Sequence, residues 1–355
     1  MASGAADWSR RGVLASALAL GACDRAIASK PKPELPIAPL RSVAPFPIGT
    51  AVMAQRLQDP AFAGLVAAQA SQVTPEFEMK MEYIVQPDGS FRFDAPDAIA
   101  AFARDNRIRL FGHCLVWYAE KPPAFEQLDQ NRVSFRDAYV NYITAVVGRY
   151  RGQAVGWDVV NEAIAEDGGE WRSSLWSQRL GGLEHMRLAY EVAHQADPGA
   201  RLFLNDYYLE KIPGKRASFM RLAEALLKAG APLGGIGTQT HIDADLPAGA
   251  ISAAIKELAT LGLPIHLSEM DVSIARVQGF HRPDVLEQRQ RELYAEAAHA
   301  FCELPPQQRF AFSLWSLRDS DSWIVRDLPS DTPNLFDANG APKPALGAFE
   351  AALRG

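Results

Sequence analysis

Two glutamates, each closing a short apolar run, carry the most legible chemistry in this chain. Glu162 follows Asn161 at the end of the run Ala154 to Val160, and Glu269 follows Pro264 to Ser268, with Asp271 two residues on. Paired carboxylates with aromatic neighbours and no clustered metal ligands suit the cleavage of a glycosidic bond. One group protonates the leaving oxygen, and the other attacks or stabilises the oxocarbenium-like carbon. Other apolar runs end in polar or aromatic residues too. Glu76, Glu78 and Lys80 follow one, His113 and Trp117 lie in or after another, and Asn205-Asp206-Tyr207, Gln239 with His241, and Trp315 with Trp323 close three more. Tryptophan offers flat apolar faces against which sugar rings stack.

These residues need a scaffold that brings strand ends together. Eight short apolar runs occur: Phe46 to Val52, Gln72 to Thr74, Arg109 to Leu115, Ala154 to Val160, Arg201 to Asn205, Gly235 to Thr240, Pro264 to Ser268 and Arg309 to Leu314. Between them lie amphipathic stretches of helical length. In Lys215 to Ala229, Phe219, Leu222, Ala223 and Leu226 follow the i, i+3, i+4, i+7 spacing and Gly230 supplies a stop. Strand and helix in alternation demand a parallel sheet with crossovers, and eight repeats close a (β/α)8 TIM barrel. An open doubly wound sheet would carry a glycine-rich phosphate turn after its first strand, and Gly49-Thr50-Ala51-Val52 offers none. A single barrel domain is expected over 45–355, with its chemistry on the carboxyl ends of the strands.

Hydrophobic content of 48%, charged content of 22% and a net charge of −6 without a basic run describe a globular protein with no footprint for nucleic acid. Arg10-Arg11 directly precedes the apolar run Gly12 to Ala22, too short to span a bilayer, so residues 1–28 read as a twin-arginine-type signal peptide and export is expected. Leu20-Gly21-Ala22-Cys23 resembles a lipobox, which would allow membrane anchoring through a lipidated Cys23; Ala26-Ile27-Ala28 is the competing cleavage site. The proline-punctuated residues 29–44 read as an extended tether. The three cysteines, Cys23, Cys114 and Cys302, match no metal spacing, and no disulfide is expected. Neither metal nor cofactor is called for, and a monomer is expected.

Taken in order, the segments QVTPEFEMKM (72–81), GHCLVWY (112–118), WDVVNE (157–162), NDY (205–207), GTQTH (237–241) and SEMDV (268–272) resemble the signature blocks of family 10 glycoside hydrolases. Leu335-Phe336-Asp337 with Lys343-Pro344-Ala345 is similar to that family's closing block. The resemblance implies a retaining endo-hydrolase of β-1,4-xylan, a double displacement needing carboxyls about 5 to 5.5 Å apart. It implies Glu162 as acid/base, Glu269 as nucleophile, Asn161 on the sugar 2-hydroxyl, and His241 orienting the nucleophile with Asp271 fixing its ring and Gln239 beside them. Lys80, His113 and Trp117 would wall the glycone side; Glu76 would bind substrate or only pair with Lys80, and Glu78 is read as structural. Tyr207 would line the site, with Trp315 and Trp323 as aromatic floor and lid. Such a mechanism needs Glu162 protonated while Glu269 is ionised, so their surroundings must separate their pKa values.

Five positions depart from the family pattern: Phe77 for Asn, Met81 for Trp, Tyr118 for His, Glu120 for Gln and Tyr208 for Asn. They are expected to cluster on the glycone side and to alter recognition rather than chemistry. Three rival readings remain at this level. One is another β-linked glycan or a glycoside with a non-sugar leaving group. Another is a non-catalytic carbohydrate-binding barrel, and a third is metal-assisted hydrolysis, which lacks the usual paired-histidine motif.

Overall fold

The computed structural model describes residues 38–128, 132–279 and 281–355. The signal peptide expected over 1–28, with Cys23, and the tether up to residue 37 lie outside the described residues. Among the described residues nine strands form: β1 Ile48–Val52, β2 Gln72–Pro75, β3 Arg109–Trp117, β4 Ala154–Asn161, β5 Arg201–Asp206, β6 Gly235–Thr238, β7 His241–Asp243, β8 Ile265–Ser273 and β9 Arg309–Leu314. All pairings are parallel. The order β6-β5-β4-β3-β2-β1-β9-β8 closes on itself through β6–β8, giving the expected eight-stranded barrel. The ninth strand, β7, is a short addition that pairs with the last turn of β8, His241 opposite Asp271.

Strands covered on both faces are buried along their length, and β1, β2 and β8 are buried at every position, although β8 carries His266, Ser268, Glu269, Asp271 and Ser273. Helices between the strands cover the outside. The first crossover helix, Pro60–Gln69, was not foreseen because its sequence PAFAGLVAAQ has no polar stripe; Asp59 caps it by accepting from Ala61 N. At the amino end the barrel is plugged by rings. Phe111, Phe203, Phe310 and His266 meet at centroid distances of 4.5 to 5.9 Å. Burial, and Arg109 nearby, push His266 down to about 3, so it remains neutral there, with Nε2 hydrogen-bonded to Ser313.

The start of the barrel unit differs from the proline-based expectation. Leu40–Val43 forms a helical turn, Leu40 is buried, and Arg41 donates to Ala67 O, so this stretch docks on the barrel rather than extending as tether. An apolar side chain with a surface to cover outweighs the local extended bias of Pro39. Cys114 and Cys302 are both free thiols.

Candidate active site

Five strands run further than the apolar runs suggest, β2 to Pro75, β3 to Trp117, β4 to Asn161, β5 to Asp206 and β8 to Ser273. Glu269 and Asp271 are thus held within a strand, while Glu162 stands directly beyond one. Parallel register sets Trp117 opposite Asn161 and Asn161 opposite Asn205, so their side chains rise in one layer. Gly237 on β6 leaves the room this layer needs, since a Cβ there would come within 2.3 Å of Asn205 Oδ1. Glu162 takes a left-handed backbone, φ 56°, and so do Tyr208 (59°), Thr240 (57°) and Ser316 (94°), all just beyond strand ends.

The Glu162 carboxylate accepts from the Trp117 indole N–H at 2.8 Å on one oxygen. Its other oxygen accepts from Gln239 Nε2 at 3.0 Å and from Asn161 Nδ2 at 3.3 Å. Glu269 accepts from Asn205 Nδ2 at 2.8 Å. Asn205 also donates to Asn161 Oδ1 at 2.9 Å, and Gln239 donates to the same oxygen at 3.2 Å. The two carboxylates are therefore joined through three amides, Gln239, Asn161 and Asn205.

Their electrostatic surroundings are specific. Burial alone would raise the Glu269 carboxyl, but His113, His241 and Lys80 outweigh it and bring it down to about 2. His241 Nε2 stands 3.4 Å from Glu269 Oε2, and its Nδ1 stands 2.9 Å from Asp271 Oδ2. Burial would lower His241, yet Asp271 and Glu269 lift it to about 10, so it is an imidazolium at neutral pH. Asp271 in turn accepts from the Trp323 indole N–H at 2.8 Å. His113 Nδ1 lies 4.0 Å from Glu269 Oε1 and hydrogen-bonds Asp158 Oδ2 at 2.8 Å. Asp158 is pushed up to about 6 by burial, against the pull of His113.

Aromatic groups complete the floor. Trp315 meets the His113 ring edge-on at 5.3 Å, and Trp323 meets His241 at 5.2 Å. Lys80 Nζ sits 4.7 Å over the Trp117 ring. Beneath Tyr207 the fully buried Lys215 ammonium lies 3.3 Å from the ring centroid and 2.8 Å from Asp206 Oδ1. Asp206 also accepts from the backbone N–H of Ile164 and Tyr207. One cleft of about 790 Å³ is lined by every residue expected to bind substrate and by both glutamates, with Asn205, Asp158, Asp206, Lys215 and Asp271 buried behind its wall.

Some expectations need correction. Glu76 lines the cleft but is not paired with Lys80: Arg56 holds one of its oxygens at 3.0 Å and Arg326 the other at 2.6 Å. Glu78 is structural as expected, accepting from Ala54 N at 2.7 Å. The five departures do not share one wall. Phe77 and Tyr208 line the cleft, but Met81 is buried in the core, Glu120 is buried against Glu82 N, and Tyr118 lies under Arg172. Burial pushes Glu120 up to about 7. The sequence reading passed over Asp158 and left Asn205 out of the site. It also missed the loop arginines Arg56, Arg276 and Arg326. Asn205 opens the NDY segment, and its amide beside two glutamate-bearing strands was the available signal. His113, Asp158 and Glu269 bring ligand-type atoms within 4.8 Å, the one such grouping found among the described residues. His113 and Asp158 already bond each other there, and Glu269 already accepts from Asn205.

A closed (β/α)8 barrel whose carboxyl end opens into a cleft of carboxylates, amides and indoles is the frame of a barrel glycoside hydrolase. The family model "Glycosyl hydrolase family 10" matches residues 41–352, and the chain belongs to that family. It is 35% identical over 319 residues to an endo-1,4-β-xylanase of Geobacillus stearothermophilus, covering 85% of this chain and 94% of that protein. It is 32% identical over 348 residues to endo-1,4-β-xylanase A of Cellvibrio japonicus, covering 89% of this chain but only 56% of that longer protein. The crystal structure of xylanase 10B from Thermotoga petrophila in complex with xylobiose superposes with a TM-score of 0.81 at 29% identity, covering 89% and 97% of the two chains.

Proposed function

We propose that this chain is a retaining endo-1,4-β-xylanase in which Glu269 is the nucleophile and Glu162 the acid/base. The observation that carries the reading is the unequal support of the two carboxylates. Glu269 is surrounded by His113, an imidazolium at His241 and Lys80, which bring its carboxyl down to about 2 and so keep it ionised at neutral pH. Glu162 is held by neutral amide and indole donors. An ionised carboxylate attacks the anomeric carbon while the other group delivers a proton to the leaving oxygen. The same group then takes a proton from the incoming water, which displaces Glu269 and restores the starting configuration. Asn161, its carbonyl oxygen already engaged by Asn205 and Gln239, is set to offer its N–H₂ to the sugar 2-hydroxyl. The family assignment and the xylanase relatives support the choice of substrate.

Hydrolysis of xylan, mixed-linkage glucan and aryl β-xylosides, followed by NMR of the first-formed anomer, tests this reading. Internal cleavage of xylan with a β-configured initial product is expected. An α-configured initial product, or preference for glucan, would overturn it. Export through the amino-terminal twin-arginine segment belongs to the same proposal. Fractionation of cells expressing the full chain, with Arg10 and Arg11 changed to Lys, checks it: activity should pass from the envelope or medium to the cytoplasm.

A further inference from the structure

The rim of the cleft carries more positive charge than its one acidic residue can use. Arg56 from the loop after β1 and Arg326 from the loop after β9 both hold Glu76, which follows β2. Arg276, beyond β8, stacks its guanidinium 4.6 Å from the centroid of Trp323, on the same helical turn that ends at Arg326. All three arginines line the cleft, and Arg276 has no acidic partner among the described residues. Asp321 lies 3.8 Å from Arg56 but is already gripped by Arg318 at 2.6 Å. Three guanidinium groups thus meet a single carboxylate at the rim, Glu76, while Glu162 and Glu269 lie on the floor with donors of their own, in a chain whose net charge is −6. Stapling Glu76 would take a single bidentate arginine, and the Arg326 side chain stays 56% exposed despite its contact.

Sugar hydroxyls are neutral and do not call for such a surplus. A carboxylate does, because a guanidinium fork matches its geometry and its charge. We propose that the Arg56, Arg276 and Arg326 rim receives a carboxylate borne by the polysaccharide, namely a hexuronic acid branch on the xylan backbone. This rests on the xylanase reading above. Glu76, with both oxygens occupied, then serves to hold two of the arginines in place instead of gripping backbone hydroxyls. Phe77, 43% exposed where the family pattern has an amide, removes a competing hydroxyl-reading group from the same rim.

The test compares kcat/KM for matched xylo-oligosaccharides with and without one glucuronic acid branch, in the wild type and in R276Q and R326Q. The branched-to-plain ratio should exceed one in the wild type and fall as salt is raised. It should drop about tenfold in each variant, the scale of one charge-assisted hydrogen bond. A general distortion of the loops would lower both rates and leave the ratio intact. A wild-type ratio at or below one, or an equal ratio in wild type and variants, overturns the proposal while leaving the xylanase reading standing. Failure to cleave the plain oligosaccharide sinks that reading instead. In that case the same ratio is taken from calorimetric affinities for the two sugars, and equal affinities overturn the rim proposal as well.

Discussion

At the floor of the cleft the reacting groups rise from strand ends and are each fixed by several partners, whereas at the rim Arg56, Arg276 and Arg326 reach in from loops. Glu162 is held by Trp117, Gln239 and Asn161, and Glu269 by Asn205 and His241. The rim arginines share one carboxylate and an indole face. Low dielectric and mutual hydrogen bonding make the floor strong and intolerant of change. Exposure and screening make the rim weak, so it can vary without loss of the fold. On the proposals above, reaction type is fixed by the barrel itself, and choice of polysaccharide by the loops laid over it.

The contrast can be broken at several strengths. Glu269→Ala should lower turnover on every glycoside by on the order of 10⁴-fold or more; a variant retaining a tenth of wild-type turnover would remove Glu269 from the chemistry. Glu162→Ala should slow xylan hydrolysis by about 10² to 10⁴-fold, yet spare the first step on an aryl xyloside with a good leaving group, read as a burst of phenol. Equal losses on both substrates would undo the acid assignment. Lys215→Met leaves Asp206 buried without its cation and should cost about 3 to 5 kcal/mol in denaturant unfolding; a loss below about 1 kcal/mol would mean that this part of the floor is as loosely held as the rim.

The next effect is a shift of pH dependence. The His241 cation stabilises the Glu269 carboxylate, so His241→Asn should raise that carboxyl above its value of about 2. The acid limb of the kcat/KM profile should then move to higher pH. An unmoved limb would show that His113 and Lys80 suffice. Smallest of all, Arg326→Gln should change unfolding free energy by only about 0.2 to 1 kcal/mol, as for other exposed ion pairs. A larger loss would make the rim part of the framework and blur the distinction.

Legibility in the sequence followed the same division. The strands could be read because both of their faces are buried, and Glu162 and Glu269 because each closes such a run. The strand β7 could not, since His241–Asp243 pairs only because β8 overshoots its own apolar segment. Asp158 was passed over because a mid-strand aspartate acquires meaning only when β3 sets His113 beside it. Met81 and Glu120 were expected at the cleft because sequence order cannot say which way a residue beyond a strand end turns, and both turn inward. The loop arginines form no local motif. Their shared carboxylate joins positions 20 and 250 residues apart.

The left-handed residues beyond β4, β5, β6 and β9 carry a further implication. Each holds a side chain in a backbone shape that costs of order 1 to 2 kcal/mol, and they encircle the open mouth, while the opposite end is sealed by rings packed edge-on and tilted. The barrel is therefore tensioned at one end and ballasted at the other. Breeding this enzyme for heat resistance would draw asparagine or glycine into positions 162, 208, 240 and 316, because those residues relax the tension. At 162 the gain would remove the proposed proton donor outright, and at 208, 240 and 316 it would come out of the placement of its neighbours, so hardiness and activity are coupled through the shape of four peptide units.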